Sequence, residues 1–449
     1  MTKRLPLFLN HVLYTLRGGF LVRPLIITLV LGMLGATLSV LETLYPALSA
    51  WTPRILFPVP YDPQVGQIIL SGIATSMMTV VSIVFAILLM TLTLASMQYS
   101  PRILVAFARD QVTQQTLGIF LGTFSYCLAA LPAARSLPHP TAPVLTIVGA
   151  MGLALACVAW LLFFIQHISE AISVNQIVHN IASETERVID EIMPKPARRS
   201  SVPDPELFEP QTDEAPVVSH ISGYVRYVNS TQLVALAKSH GVRIRVLRRP
   251  GHFVPESVAL LSVHRAEKLT PALSSSLRAA FQIGPTRTLQ QDIEFGILMI
   301  VDIALKAISP AVNDPSTAIS CVDQLSRILI RFASREAPQS LTYDPPGVVR
   351  VSIPWLGFDR LADAAFEQIR MYAKADVAVN LRMLRALNDI ASTLPEWQPT
   401  ECLVAIGRRI VAGSAEQLND SEIVEMRARL VTLERRTAMT ATMTTLTGE

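Results

Sequence analysis

The chain has 449 residues, of which 51% are hydrophobic and 16% charged, with a mean hydropathy of +0.41, whereas a soluble domain carries about 25% charged residues. Residues 1–168 hold eight Lys and Arg and three Asp and Glu, which leaves 30 basic and 32 acidic residues for 169–449, so the net charge of +3 belongs to the apolar end. The figures describe a membrane protein with an ordinary soluble surface beyond its spans, and they exclude a nucleic-acid footprint.

Residues 5–20 (LPLFLNHVLYTLRGGF) place Leu5, Phe8, Leu9, Val12, Leu13 and Leu16 on one face, with Lys3, Arg4, His11 and Arg17 around it. The pattern predicts a short amphipathic helix in the membrane interface over 1–20. With no A-x-A-type cleavage site, the basic start reads as an uncleaved anchor. A first span is expected from Leu21 to Leu44, with Glu42 near its far end. Tyr45–Val65 carries five prolines with Trp51 and Tyr61, the signature of an extramembrane loop with interfacial aromatics.

Gly66–Met97 then runs for 32 residues without Asp, Glu, Lys, Arg or His. As a helix it reaches about 48 Å, past the roughly 30 Å of bilayer hydrocarbon. Thr75, Thr79, Ser82, Ala86, Thr93 and Ser96 recur at near-heptad intervals, a hydroxyl-bearing stripe that faces protein or water rather than lipid. Ser100-Pro101 restarts a short helix (RILVAFARD). Third and fourth spans follow at Val112–Leu131 and Ala142–Phe164, joined by LPAARSLPHPTAP. Lys3, Arg4, Arg17, Arg23, Arg102 and Arg109 flank the spans on one side, Arg54 and Arg135 on the other. That imbalance places both termini in the cytoplasm.

The fourth span is expected to continue as a stalk through His167, Glu170, His179 and Glu184 to about Ile192, then to give way to a Pro- and charge-rich linker. From Val217 the period changes: apolar and polar residues alternate over Tyr224–Val228 and Val242–Leu247, around a helical patch at Leu233–Ala237 and a turn at Pro250-Gly251. Beyond Glu267 the pattern is helical, with a strand at Val348–Ile353 and helix starts at Thr270-Pro271, Asp314-Pro315 and Phe358-Asp359. The expected architecture is an α-helical polytopic membrane protein with a cytosolic α+β region. Its segments are an interfacial helix (1–20), four transmembrane helices (21–168), stalk and linker (169–216), a β-rich module (217–266), a mainly helical domain (267–436) and a flexible tail (437–449).

At SPR (Ser100–Arg102) and QQDIEFGILMIVDIALKAISPAVNDPSTAISCVDQL (Gln290–Leu325), with SPAVNDPSTA (Ser309–Ala318) its most specific run, the sequence resembles a bacterial family of predicted integral membrane proteins, domain of unknown function 2254. The resemblance covers nearly the whole chain. It implies four transmembrane helices followed by a cytosolic domain, and it brings no chemistry.

The family-motif corner, Ser309, Pro310, Asn313, Asp314 and Pro315, presents oxygens that a divalent cation or an oligomer partner would use, with Asp292, Glu294 and Asp323 as candidate neighbours. The plainer reading is a helix cap, since Asp before Pro is what a tight helix start needs. Asp302 sits four residues before Lys306 and Asp323 four before Arg327, so surface or interface ion pairs account for them. His167 and His179 are candidates for pH sensing but, twelve residues apart on one helix, cannot share a metal ion. Arg243, Arg245, Arg248 and Arg249 form a basic run suited to phosphate or lipid headgroups, although alternation alone puts Arg243 and Arg245 on the outward face of a strand. Glu42 either snorkels outward or lines an entrance.

Cys127, Cys157, Cys321 and Cys402 form no C-x-x-C pair, which argues for reduced thiols and against a metal knuckle. No Walker loop, dinucleotide fingerprint, nucleophile elbow or H-E-x-x-H occurs. No catalytic residue, metal or cofactor is therefore assigned, and an enzyme is not expected. The stripe remains, flanked by Leu89 and Met90 as a candidate constriction. Packed inside a subunit it serves helix association; around an axis of several copies it lines a pore for ions or small solutes. The sequence favours a homo-oligomeric channel-like protein in the lipid bilayer, with a membrane-anchored regulatory protein acting through its cytosolic domain as the alternative.

Overall fold

The computed structural model describes residues 22–45, 63–98, 111–131, 144–171, 173–193, 213–335, 341–344, 348–394 and 400–446. The expected interfacial helix, the loop after the first span, the helix at 102–110 and the Pro-rich linker lie outside the described residues. The chain divides into two compact units, Met1–Ser173 and Val174–Glu449.

Unit 1 contains four helices, α1 (Val22–Leu44), α2 (Pro63–Gln98), α3 (Gln111–Ala130) and α4 (Val144–Ala171). Three of them, over Val22–Leu44, Gln64–Met90 and Val144–Ser169, are long and apolar enough to cross a membrane. The fourth, α3, is less apolar because the residues it buries include Thr113, Gln114, Thr116 and Thr123. It packs against α1, α2 and α4, and its polar side chains bond within the unit. Trp160 Nε1 donates to Thr116 Oγ1 at 2.9 Å, and Tyr126 Oη donates to the Thr146 carbonyl at 3.1 Å. Close approach of α1 and α3 depends on glycine, since a side chain at Gly35 would strike the Tyr126 backbone and one at Gly122 the Leu31 side chain.

Unit 2 opens with α5 (Val174–Ile192). Where one continuous stalk was expected, α4 ends at Ala171 and α5 begins anew at Val174. The buried side chains of α5, among them Val178, Ile181, Val188 and Ile189, recur every three to four residues, and this stripe packs into unit 2 against α8 (Ile293–Ala307) and α9 (Pro315–Ala333). The helical layer is completed by α10 (Phe358–Tyr372), α11 (Val377–Thr393), α12 (Glu401–Ser414) and α13 (Asp420–Leu446). The backbone of α13 is helical to Leu446, past the tail expected from 437, and Thr437 Oγ1 donates to the Leu433 and Glu434 carbonyls within it.

The strands are β1 (Glu214–Val218), β2 (Gly223–Val228), β3 (Arg243–Val246), β4 (Phe253–Val254), β5 (Ala259–His264), β6 (Phe281–Gly284), β7 (Leu341–Asp344) and β8 (Val348–Ser352), with α6 (Ser230–His240) and α7 (Pro271–Ala279) among them. They form a five-stranded sheet, β1-β5-β3-β8-β7, and a three-stranded sheet, β4-β2-β6. The β-rich module expected at 217–266 is therefore completed from outside those bounds. β6 pairs with β2, and β8 joins β3 in parallel, because an edge strand gains backbone bonds wherever the later chain can reach it. One apolar core, including Leu233, Ile244, Leu261, Leu277, Val351 and Ile353, underlies the strands.

Candidate functional site

In unit 1 the predicted stripe lies on the surface. Thr75, Thr79, Ser82, Ala86, Leu89, Met90 and Thr93 are all exposed, while Ser96 falls in the last turns of α2. At about 100° per residue they share one face, and the buried residues of α2, Gly66, Leu70, Ala74, Met77 and Val84, occupy the opposite one. The stripe is therefore not packed inside its own unit. Its hydroxyls are satisfied by their own helix: Thr75 Oγ1 donates to Ser71 O at 2.9 Å, Thr79 to Thr75 O at 3.2 Å, Ser82 to Met78 O at 3.0 Å and Thr93 to Leu89 O at 2.8 Å. Lone pairs remain on each of these four oxygens, so the face is weakly polar there and these hydroxyls leave no unmet donor.

Glu42 is 5% exposed and neither snorkels nor lines an opening. Its carboxylate accepts from Leu145 N at 2.7 Å, Thr146 N at 3.0 Å and Thr146 Oγ1 at 2.9 Å. It thus caps the first turn of α4 from the end of α1, satisfying amides that have no partner within their own helix.

The family-motif corner joins α8 to α9. Asp314 accepts from Thr317 N at 3.2 Å and Thr317 Oγ1 at 2.6 Å, with Pro315 in the first helical turn. These bonds from Thr317 hold the Asp314 carboxyl below the ordinary carboxylate range. Asn313 adopts φ 50 and Ser309 Oγ donates to Lys306 O at 2.7 Å, so the run is a tight helix-to-helix turn with Pro310 and Asn313 exposed. Asp302 and Lys306 lie one turn apart on α8. Asp323 pairs with Arg382 of α11, not with Arg327. Among the described residues, no group of three or more His, Cys, Asp or Glu is placed to hold a metal ion.

The basic run is divided by the end of β3. Arg243 and Arg245 stay on the strand, where Arg245 pairs with Glu214. Arg249 turns instead to the start of α8, 3.3 Å from Glu294, while Arg248 has no ion-pair partner among the described residues. Arg287, which the sequence did not single out, is the hub of that second cluster. It grips Asp292 at both oxygens (2.7 and 2.8 Å), reaches Glu294 at 3.0 Å and stacks over the Phe295 ring. Asp292 also caps α8 by accepting from Phe295 N at 3.1 Å. Gly251, at φ 90, passes so close that a side chain there would strike Asp292 and Arg287. The neighbouring His252 is held below the usual imidazole range, first by burial and then by Arg249 and Arg248. Two arginines and two carboxylates balance, and the adjoining pocket of about 30 Å³ holds about one water. The cluster locks the start of α8 rather than offering a free acid or base.

A further ionic seam runs between α5 and α9. Arg327 pairs with Glu186, and Arg331 and Arg335 both pair with Asp190, at 2.5 and 2.6 Å. Arg331 foremost, and Arg335, hold the Asp190 carboxyl below its ordinary value. His179 joins the seam with Nδ1 3.3 Å from Arg327 Nη1. His167 lies in unit 1, stacked on Phe163 at 6.3 Å. Helical spacing in the sequence suggested partners one turn away; the real ones are on another helix.

The family described as predicted membrane protein (DUF2254) matches residues 17–389. The chain is 30% identical over 332 residues to the uncharacterized protein Mb1321c of Mycobacterium bovis and to the uncharacterized protein Rv1290c of Mycobacterium tuberculosis. The match covers 72% of this chain and 63% of each of theirs, so the chain spans less than two thirds of the length of these curated relatives. No solved structure matches. With three helices able to cross a bilayer and a match over most of its length, the chain belongs to the DUF2254 family of predicted membrane proteins, whose function is unknown.

Proposed function

We propose that the chain assembles with copies of itself into a channel-like protein of the bacterial inner membrane, with α2 facing the path and residues 174–449 gating or assembling it from the cytoplasm. The observation that carries this reading is the position of the stripe. Thr75, Thr79, Ser82, Ala86 and Thr93 are exposed, opposite the face that α2 uses for packing. A wall of Ser and Thr oxygens with lone pairs to spare, narrowing at Leu89 and Met90, suits the passage of ions or small polar solutes. In this reading α3 is the fourth span. Its 20 residues reach about 30 Å as a helix, and enclosure by its neighbours keeps Gln114 and the threonines from lipid. Six basic residues flanking one side of the spans against two on the other put both termini in the cytoplasm. No catalysis is assigned.

The test is reconstitution of the purified chain in liposomes, with currents and solute flux recorded under voltage and membrane tension. Flux is expected, and Ser82→Cys is expected to react with a charged thiol reagent and block it, while Val84→Cys on the packed face does not. Absence of current and flux under all these conditions, together with a monomeric mass in detergent, refutes the reading.

A further inference from the structure

The face of the five-stranded sheet turned away from the apolar core gathers cations from two neighbouring strands. Alternation along β3 puts Arg243 and Arg245 on this face while Ile244 and Val246 are buried. Register carries the face sideways: Arg243 lies opposite His264 and Arg245 opposite Ser262 on β5, and Glu214 of β1 lies opposite His264 from the far side. On the other flank Arg245 stands beside Ser352 of β8, and Arg350, two residues earlier, shares that face. The five strands of the sheet contain these three arginines and two acids, Asp344 of β7 and Glu214 of β1.

Glu214 already behaves as a bound anion. Its carboxylate is paired with Arg245, and because β5 lies between β1 and β3 the pair straps across β5. On the strand it crosses, Ser262 Oγ and His264 Nδ1 find no hydrogen-bond partner among the described residues. Ser262 is 5% exposed. Buried polar atoms are nearly always bonded, so two bare ones beside a guanidinium mark a place where an outside group supplies the bonds. Guanidinium forks match phosphate oxygens two at a time, and the hydroxyl and imidazole complete a phosphate's acceptor demand.

We propose that this face binds a phosphoryl group. Arg245 holds its oxygens, Ser262 and His264 bond to it from the strand, and Glu214 is the internal competitor that occupies Arg245 until the phosphate displaces it. The chemistry fits a soluble phosphorylated molecule and a lipid phosphate alike.

The two sources separate in one experiment on the full chain in phosphatidylcholine nanodiscs, with thermal stabilisation as the readout. One arm titrates inorganic pyrophosphate; the other replaces part of the lipid with phosphatidic acid. Glu214→Gln removes the competitor and is expected to bind about tenfold tighter, whereas Arg245→Ala is expected to bind about tenfold weaker and Ser262→Ala severalfold weaker. The opposite signs keep the test meaningful where one variant folds poorly. A response to pyrophosphate with this order of variants supports a soluble ligand, and the same order with phosphatidic acid alone supports a lipid. No saturable response in either arm, or one that Glu214→Gln and Ser262→Ala leave unchanged, overturns the proposal.

Discussion

Gly296 is the point where the seating of α5 in unit 2 is most exposed to test. A Cβ built there would overlap Thr185 Oγ1 of α5, and would lie 2.9 Å from Thr185 Cγ2 and 3.0 Å from Leu289 Cδ2. Thr185 cannot swing aside freely: it is fully buried, and its hydroxyl donates to Ile181 O at 2.7 Å, a bond worth about 1 kcal/mol. Overpacking of this kind costs about 1–3 kcal/mol. Ala over Gly in a helix returns up to about 1 kcal/mol, so Gly296→Ala should lose about 1–2 kcal/mol net, or several degrees of melting temperature. Thr185→Ala removes both obstructing atoms. The double variant is therefore expected to be more stable than the two single losses predict, by about 1 kcal/mol or more. The assay is the thermal transition of the detergent-solubilised chain across the four forms. An unchanged or higher melting temperature for Gly296→Ala, or strictly additive losses, would show that α5 does not sit in this notch.

Glu42→Ala strands three donors, Leu145 N, Thr146 N and Thr146 Oγ1, and should lower the stability of unit 1 by about 3 kcal/mol or more, with Glu42→Gln recovering part; a wild-type melting curve for Glu42→Ala would contradict the cap. Asp314→Ala removes the α9 cap and should cost about 1 kcal/mol. Because the Asp314 carboxyl is held below its ordinary value of 3.8, that contribution is present above pH 3.8 and lost as pH falls further. The gap between wild type and Asp314→Ala should therefore close on acidification below pH 3.8, and a gap that widened there would reverse the assignment.

How much of this was readable in advance depended on sequence distance. The length of α2 and the grouping of Thr75, Thr79 and Ser82 on one face follow from helical period alone, a local property. The Asp314-Pro315 start of α9 is local too, since donor and acceptor are three residues apart. Glu42 was visible as an acid near an apolar span, but its partners lie 103 and 104 residues away, and no pattern around Glu42 announces them. The pairing of β8 with β3 was equally hidden, because a parallel partner is reached through intervening helices. With it went the knowledge that Arg350 shares a face with Arg245. Asp323 misled for the same reason: Arg327 four residues on satisfies the helical rule, but the fold brings Arg382 to Asp323 and Glu186 to Arg327. The basic run at 243–249 looked like one patch even though its alternation stops at Leu247, because nothing local shows that the chain then carries Arg249 to Glu294 at the start of α8.

What fixes the register of α5 on its neighbours follows from comparing its two seams. Val178, Ile181, Val188 and Ile189 are almost wholly buried, and each is worth about 1.5–3 kcal/mol, so apolar burial supplies the adhesion. A slide of one turn would bring Glu184 to the place of buried Val188, or Glu186 to that of buried Ala182, so apolar burial already opposes it. The ionic seam chooses weakly. Arg331 and Asp190 are 41% and 35% exposed, and a pair so open to water contributes at most about 1 kcal/mol. After a one-turn slide Glu186 would simply take the place of Asp190 before Arg331. The notch chooses strongly, because the same slide sets Ile181 or Ile189 against Gly296, where even a methyl group does not fit. Arg331→Ala is therefore expected to cost less than about 1 kcal/mol and to lose that small effect in high salt, while Gly296→Ala costs more and is insensitive to salt. A loss from Arg331→Ala larger than that from Gly296→Ala would mean that charge, not shape, holds α5 in place.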